Sequence, residues 1–152
     1  METLLVALMT WASAHTGIPA PEEVPEVAFV SEERLWHTVH PDRSFAARGH
    51  IAVAGAYRDN VIYLPEDWDK RDLGDLSNLV HELVHHLQDH AGLEYRCQGK
   101  RERPAYDAQI AWVEAAGEDP WETIGMNQLF YLLATTCEPR TQGGGGVGRL
   151  VR

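Results

Sequence analysis

The sequence has few cysteines and few basic residues. Only two of its 152 residues are cysteine, Cys97 and Cys137, which are too few for a disulfide scaffold and are not spaced as a CxxC metal clip. Thirteen basic side chains stand against twenty-three acidic ones, which gives a formal net charge of -10. A nucleic-acid partner would have to bind against this field, so we exclude nucleic-acid binding.

Long apolar runs are also missing. No stretch approaches the roughly 20 apolar residues that a helix needs to cross a bilayer, so the sequence predicts no membrane span. The first apolar stretch follows Glu2 and no basic residue, unlike the positive start of an export signal. We expect instead an amphipathic first helix. Its inward residues would be Leu4, Leu5, Leu8 and Trp11.

The overall composition is that of a folded protein. Hydrophobic residues make up 44% and charged residues 24% of the chain. A chain of this length supports one hydrophobic core, and we assign residues 1–140 to a single domain. Four consecutive glycines lie near the C-terminal end, so residues 141–152 are expected to form a flexible Gly-rich tail.

The pattern of apolar residues predicts an α+β fold with a small sheet. Residues 27–30 form one short apolar run. Residues 51–57 and 61–64 form two further β-rich runs, and the turn-forming residues 58–60 separate them. We predict a strand for the first run and a hairpin for the other two.

Four further helices are predicted downstream of the first. Ser31 is the N-cap of a short helix whose buried face would be Leu35, Trp36 and Val39. The longer helical patterns cover residues 75–90, 105–116 and 121–137.

The informative stretch is an HExxH motif, His81, Glu82 and His85, inside a strongly helical and amphipathic segment. At about 100° per residue, the two histidines lie on one face, one turn apart, where both imidazoles can bind one zinc ion. The side chain of Glu82 points away from the face that holds the two histidines, but it stays close enough to act as a general base on a water that zinc activates. We predict one zinc ion per chain, with Glu82 as the catalytic residue.

A solvated helix rich in histidine is the simpler interpretation of this motif. His81, His85, His86 and His90 fall within ten residues, and HExxH arises by chance in such sequences. The helical context and the apolar opposite arc favour the metal site. His86 and His90 are also an i, i+4 pair, but no glutamate follows His86, so we assign that pair to structure or to the surface.

A catalytic zinc site needs a third protein ligand from outside this helix. The HExxHxxGxxH extension is excluded, because Gln88 and Ala91 stand where that pattern has Gly and His. Glu102 lies at the start of the next helical pattern, and Pro104 is tolerated in a first turn. Sixteen residues separate His85 from Glu102, enough for the chain to reverse. We select Glu102 as the third ligand.

Four other side chains compete with Glu102. His90 lies on nearly the opposite side of the helix from the first ligand, and Glu94 lies in the reversing loop. Asp107 has a shorter side chain and lies over a turn beyond Glu102, while Glu114 lies two more turns away. We therefore consider each of these four residues a less suitable third ligand than Glu102.

The motifs resemble those of the HExxH zincins, and within them the gluzincins, whose third ligand is a glutamate on a helix after the active-site helix. In small bacterial members an upstream hairpin precedes HELxHxxQ, and ExxA opens the next helix. Residues 52–64, 81–88 and 102–105 match these features, although Pro104 stands where many relatives have a second acidic residue. The layout resembles the bacterial single-domain minimal gluzincins. It implies a minimal zincin-like α+β domain with a small sheet packed on the active-site helix.

The resemblance implies a metallopeptidase that cleaves a peptide or protein substrate. Residues 52–56 would pair with an extended peptide, although tight packing against the helix explains their small side chains equally well. A second donor to the oxyanion would come from Tyr106, Tyr95 or His86. Burial in the core is the simpler interpretation of both tyrosines.

Two other functions remain open. The chain lacks the long second lobe that usually completes a broad-specificity cleft, which is compatible with a regulatory HExxH module that acts on a single partner. A zinc-binding domain without turnover is the other alternative. The retained Glu82 argues against it, since a purely structural site needs no base.

The two cysteines flank the third-ligand segment and the last helix. They either pair as a disulfide that fixes both against the core or remain buried free thiols. A cytoplasmic location is favoured unless Cys97 and Cys137 pair, because a disulfide persists only in an oxidising compartment.

Overall fold

The computed structural model describes residues 1–137, which contain six α-helices and one three-stranded sheet. This mixture confirms the predicted α+β class. The elements are α1 (Glu2–Thr16), β1 (Glu26–Val30), α2 (Glu32–Val39), a 3-10 turn (Phe45–Arg48), β2 (Ala56–Arg58), β3 (Val61–Pro65), α3 (Leu73–His90), α4 (Gln98–Ala115), α5 (Pro120–Ile124) and α6 (Gln128–Thr135). The predicted flexible tail, residues 141–152, lies outside the described residues.

The sheet has the strand order β1, β3, β2. Strand β1 runs parallel to β3, with Val27 opposite Ile62, and β2 runs antiparallel to β3, with Tyr57 opposite Ile62. Asp59 and Asn60 both have positive φ, 51° and 65°, as a two-residue hairpin turn of type I′ requires. The predicted hairpin turn is confirmed, and β2 is an edge strand.

The predicted first arm of this hairpin is wrong over most of its length, because β2 contains only Ala56–Arg58 and not residues 51–57. Continued pairing would bring Ala54 opposite Pro65. Proline has no N–H to donate, and β3 ends at Pro65, so the ladder stops. Residues 51–55 therefore leave the sheet.

Helix α4 begins earlier than predicted, at Gln98 and not at Ala105. Glu102 therefore lies in the second turn of the helix, and Pro104 lies inside the helix and not in its first turn. Because proline has no N–H, the Lys100 carbonyl lacks its usual helical partner. Pro104 therefore does not mark the start of α4, because other contacts stabilise the helical turn that precedes it.

Those contacts come from the end of α6. Cys97, the N-cap residue of α4, forms a disulfide with Cys137, which follows α6. Beside it, Gly99 packs so closely on the backbone of Thr136 that a Cβ atom would overlap the Thr136 carbonyl. Tertiary contacts thus outweigh the local preference of this polar turn. The disulfide also weighs against a cytoplasmic location.

The last predicted helix, residues 121–137, is in fact two helices. Gly125 ends α5 in the left-handed conformation, with φ of 69°. Asn127 then caps α6, and its side chain accepts a hydrogen bond from the N–H of Phe130. A single continuous helix was the wrong prediction because both signals interrupt it.

The N-terminal helices pack on the core largely as predicted. The expected inner face of α1 is buried or partly buried, at Leu4, Leu5, Leu8 and Trp11. In α2, Leu35 and Trp36 are buried as expected. The predicted burial of Val39 is wrong: it is the last residue of α2 and is 43% exposed, at the edge of a cleft.

Helix α3 is the centre of the fold. Asp72 caps it by accepting a hydrogen bond from the N–H of Asp75, and the helix starts at Leu73, two residues before the predicted start. Residues 79–88 are all buried. The apolar ones join α1, α4 and the sheet in the main core, with Leu79, Val80, Leu83, Val84 and Leu87. Within residues 1–137, no helix is both long enough and apolar enough to span a bilayer.

Candidate metal centre

Three ligand atoms from α3 and α4 meet at one point. The Nε2 atoms of His81 and His85 are 3.2 Å apart, and Oε2 of Glu102 lies 3.1 Å from the first and 3.2 Å from the second. The i, i+4 spacing puts both histidines on one face of α3, and α4 packs against that face. Among the described residues, these three form the only group that could hold a metal ion.

The dimensions of this triangle fit a tetrahedral zinc ion. Zinc bonds of about 2.0–2.1 Å place neighbouring ligand atoms of a tetrahedron about 3.3–3.4 Å apart. The observed separations of 3.1 and 3.2 Å differ from this only slightly. Two imidazoles and one carboxylate also match a catalytic zinc site that keeps one position open.

Glu102 is ionised and oriented towards the histidines. Burial raises the pKa of its carboxyl, but when the rings of His81 and His85 are positively charged, their Nε2–H groups donate to Glu102 and outweigh burial, which holds the pKa well below its usual range. The side-chain amide of Gln98 donates to the other carboxylate oxygen, Oε1. These contacts therefore largely fix the orientation of the Glu102 side chain before any ion binds.

The outer nitrogen of each histidine faces a glutamine. Nδ1 of His81 lies 3.1 Å from Oε1 of Gln109, and Nδ1 of His85 lies 2.8 Å from Oε1 of Gln88. Neither glutamine was predicted to belong to the site. The HELxHxxQ spacing could have drawn attention to Gln88, whereas Gln109 comes from α4 and no local pattern marks it.

Glu82 lines the same cleft as the three ligands. It is only 7% exposed, and burial is the main cause that raises the pKa of its carboxyl to about 7. The nearby His81 lowers this pKa, and the charge of Glu102 raises it. Gly55 lies directly against the Glu82 side chain. The arrangement places a proton acceptor of near-neutral pKa beside the candidate metal centre.

Tyr106 is the one predicted oxyanion donor that lines the cleft within the described chain. Its ring packs edge-on against His81, with centroids 4.5 Å apart. Burial and the charges of Glu102 and Glu82 raise the pKa of its hydroxyl to about 12. The hydroxyl therefore keeps its proton near neutral pH and can act as a hydrogen-bond donor.

The other two predicted donors lie elsewhere. His86 is fully buried away from the cleft, where Nε2 lies 2.9 Å from the Glu23 carbonyl oxygen and Nδ1 lies 3.3 Å from the Tyr57 hydroxyl. Tyr95 is half-buried beyond the end of α3, beside Gln88. The structure does not bring either residue to the candidate metal centre.

The residues that competed with Glu102 as third ligand also lie away from the centre. His90, Glu94 and Glu114 are exposed. Asp107 accepts a hydrogen bond from the Tyr131 hydroxyl at 2.5 Å. Within residues 1–137, none of these four residues belongs to the group that could hold a metal ion.

A cleft of about 1070 Å³ lies over the three ligands and Glu82. One wall consists of residues 50–56 and the end of α2. Residues 124–127 and Phe130 also line the cleft. A volume at the upper end of the range for ligand sites can hold several residues of an extended chain.

Comparison with known proteins identifies a family. Residues 1–142 match the family described as a domain of unknown function (DUF6647). The chain belongs to the DUF6647 family. No curated protein and no solved structure matches the chain. Any proposal for the function of this DUF6647 member therefore depends on the geometry of its own site.

Proposed function

We propose that this chain is a zinc-dependent peptidase. The observation that carries the proposal is the meeting of three ligand atoms, from His81, His85 and Glu102, within 3.2 Å of one another beside the buried carboxyl of Glu82. When bound, zinc supplies a Lewis acid that activates water and polarises a carbonyl group. Three protein ligands leave a position open for that chemistry.

The donor set favours zinc over magnesium and calcium. Those hard cations prefer oxygen ligands, whereas two of the three donors here are imidazole nitrogens. The buried Glu82 favours catalysis over a silent zinc site. A buried carboxyl is costly, and a purely structural centre closed by four ligands gains nothing from one beside it.

Glu82 is the proton acceptor of the proposed reaction. With its pKa raised to about 7, its carboxylate takes up a proton readily near neutral pH. The same proton is then transferred to the amine that leaves when the peptide bond breaks. Gly55 lies against Oε1 and Cγ of Glu82, which limits the directions that the carboxylate can take.

Tyr106 is the second donor to the oxyanion that develops on the scissile carbonyl. Its hydroxyl stays protonated because burial and two nearby carboxylates raise its pKa. Its ring is fixed by contact with His81 and with Phe130, whose ring centroid lies 6.2 Å away. A preorganised donor of this kind stabilises a developing negative charge at little reorganisation cost.

The wall of the cleft formed by residues 51–55 suits an extended peptide. These residues take part in no strand pairing within the described chain, and they lead into the edge strand β2. Backbone groups on an edge strand such as β2 bind a second strand largely independently of its sequence. Small side chains at Ala52 and Ala54 allow close approach.

Exposed leucines beside the cleft favour a second candidate, a peptidase restricted to one protein partner. Leu129, Leu132 and Leu133 of α6 are 65%, 54% and 70% exposed. Phe130, on the same helix, lines the cleft. Exposed apolar side chains grouped in this way are typical of protein contact surfaces.

The disulfide bears on where this activity takes place. Cys97 and Cys137 hold the start of α4, five residues before Glu102, against the end of α6. We place the protein in an oxidising compartment, because disulfides are rarely retained in the cytosol.

The test combines metal analysis with a digest. Purified protein should contain about one zinc ion per chain and should cleave a mixture of unfolded peptides, followed by mass spectrometry. Glu82→Gln should keep the zinc and lose cleavage, since an amide cannot accept the proton. Folded protein without zinc affinity, or equal cleavage by Glu82→Gln, would contradict the proposal. Cleavage confined to one folded protein would favour the second candidate.

A further inference from the structure

A chain of hydrogen bonds runs from a backbone carbonyl to His85. The side-chain nitrogen of Gln88 donates to the Arg101 carbonyl oxygen at 2.9 Å. A carbonyl only accepts, so the NH2 group of Gln88 faces Arg101 and its oxygen faces His85, whose Nδ1 lies 2.8 Å away. The amide oxygen also only accepts. Nδ1 of His85 therefore carries a proton, and in the neutral ring Nε2 has the lone pair.

A second, longer chain leads to His81. The Ser77 hydroxyl donates to the Gly74 carbonyl oxygen at 2.7 Å, so the Ser77 oxygen accepts from the side-chain nitrogen of Gln109 at 3.2 Å. Oδ1 of Asn78 accepts from the same nitrogen at 2.8 Å. The Gln109 oxygen is thereby turned to Nδ1 of His81, 3.1 Å away. This ring, too, must carry its proton on Nδ1.

We propose that Gln88 and Gln109 are positioning residues that keep Nδ1 of both histidines protonated, so that both Nε2 atoms present lone pairs to one metal ion. The inference rests on the proposed zinc site. Both glutamines are almost completely buried, 1% and 2% exposed, so water is a poor substitute for either of them. Partners of this kind fix the orientation of metal-binding histidines and raise their basicity.

The consequence is electrostatic. When both rings are neutral, two Nε2 lone pairs and the Glu102 carboxylate oxygen face one another across 3.1–3.2 Å. Such a group of acceptors repels itself unless a cation lies among them. The two glutamines prevent either neutral histidine from moving its proton to Nε2 to relieve this repulsion. They thereby preserve a site that favours a cation.

The two glutamines differ in what a glutamate in their place would do. At position 88, a carboxylate oxygen would face the Arg101 carbonyl, which has no hydrogen to give, so one hydrogen bond becomes a repulsion. At position 109, the Asn78 side chain can turn so that its own NH2 group donates to the new carboxylate. Nδ1 of His81 would then donate to a charged acceptor, which strengthens zinc binding.

Zinc affinity measured by competition with a chelator tests this difference. Gln88→Leu and Gln109→Leu should each weaken zinc binding by about 10–100-fold. Gln88→Glu should also weaken it by about 10-fold or more, whereas Gln109→Glu should bind zinc at least as tightly as the wild type. The exposed Gln128→Leu on α6 is the matched control and should leave affinity unchanged. Equal effects of the two glutamate variants would overturn the proposal.

Nitrogen-detected NMR of the imidazole rings gives a readout that a merely structural role would not move. In metal-free wild type at about pH 9, where an ordinary imidazole is neutral, Nδ1 of both His81 and His85 should be protonated. In each leucine variant, the proton of the affected ring should exchange faster or shift to Nε2. A wild-type ring with a bare Nδ1 would overturn the proposal.

The outcomes separate this proposal from the proposed function. If the protein binds no zinc but both rings carry Nδ1 protons that depend on the glutamines, the peptidase proposal fails and the positioning role stands. If zinc binds tightly and both leucine variants bind it equally well, the positioning role fails and the zinc site stands. Thermal unfolding of the metal-free variants identifies any variant that does not fold. If a variant fails to fold, the protonation of Nδ1 seen by NMR in the wild type decides whether the positioning role stands.

Discussion

Gly55 lies directly against the carboxylate of Glu82. A Cβ atom on residue 55 would lie 3.1 Å from both Cγ and Oε1 of Glu82, which is tighter than nearly all real Cβ contacts. Gly55 does not have the positive φ that only glycine adopts easily, so its conformation admits alanine. The requirement for glycine at this position is therefore steric and concerns Glu82.

Gly55→Ala should move the carboxylate of Glu82 without touching the three proposed metal ligands. We expect kcat of the proposed peptidase to fall by about 10-fold or more, because a proton acceptor works only within hydrogen-bond reach of its water. Zinc content should stay at the wild-type value. Steady-state kinetics and metal analysis on the same preparation check both parts, and an unchanged kcat would show that Glu82 tolerates the crowding.

That the two candidate ligands on α3 lie side by side could be predicted from the sequence, because their signal is local. One helical turn separates His81 from His85, and the apolar residues between and around them mark the helix. Glu102 was selected by its distance along the chain and its side-chain length. The structure brings it to the two histidines, although α4 begins about two turns before the predicted start.

The rest of the site depends on contacts that no local pattern encodes. Gln109 reaches His81 from 28 residues away along the chain, across the packing of α3 and α4. The early start of α4 depends on the disulfide and on Gly99 packing against Thr136. The departure of residues 51–55 from the sheet follows from the register of β2 and β3, which brings Pro65 to the point where pairing stops. Register is a tertiary property, so alternation alone overestimated this strand.

Glu102→Ala removes one of the three proposed zinc ligands. We expect zinc affinity to fall by at least about 100-fold, more than a change to an outer partner of the histidines produces. Glu94→Ala and Glu114→Ala are matched controls, since both residues are exposed glutamates and lie away from the centre. Isothermal titration of the metal-free proteins with zinc compares the three. Wild-type affinity in Glu102→Ala would remove Glu102 from the ligand set.

Reduction of the disulfide should destabilise the protein and weaken its metal centre. The bridge closes a loop with a sequence separation of 40, for which chain entropy predicts a contribution of about 3–4 kcal/mol to the free energy of unfolding. Cys97 precedes Glu102 by little more than one helical turn, so loosening of α4 should also lower zinc affinity. Urea unfolding and zinc titration of a Cys97→Ser, Cys137→Ser double variant measure the two effects. The prediction fails if thiol titration of the unreduced, denatured wild type finds two free thiols.

Glu82→Gln should stabilise the metal-free protein, and the gain should depend on pH. In the folded state, burial raises the pKa of Glu82 to about 7, from 4.5 in its unperturbed state. Between these two pH values the folded wild type binds more protons than the unfolded chain, so its stability falls as pH rises. Glutamine has the same shape and does not ionise, so the stability of the variant does not fall with pH for this reason.

The two proteins should therefore have similar free energies of unfolding near pH 4. As the pH rises to about 7, the variant should become progressively more stable than the wild type, and above pH 7 the difference in stability should persist. A shift of this size corresponds to roughly 3 kcal/mol at pH 8. Urea unfolding in the presence of a chelator, at several pH values, measures the difference. Glu114→Gln, which changes an exposed glutamate, should show no comparable pH-dependent gain. A difference that stays constant from pH 4 to pH 8 would mean that packing, and not the ionisation of a buried carboxyl, separates Glu82→Gln from the wild type.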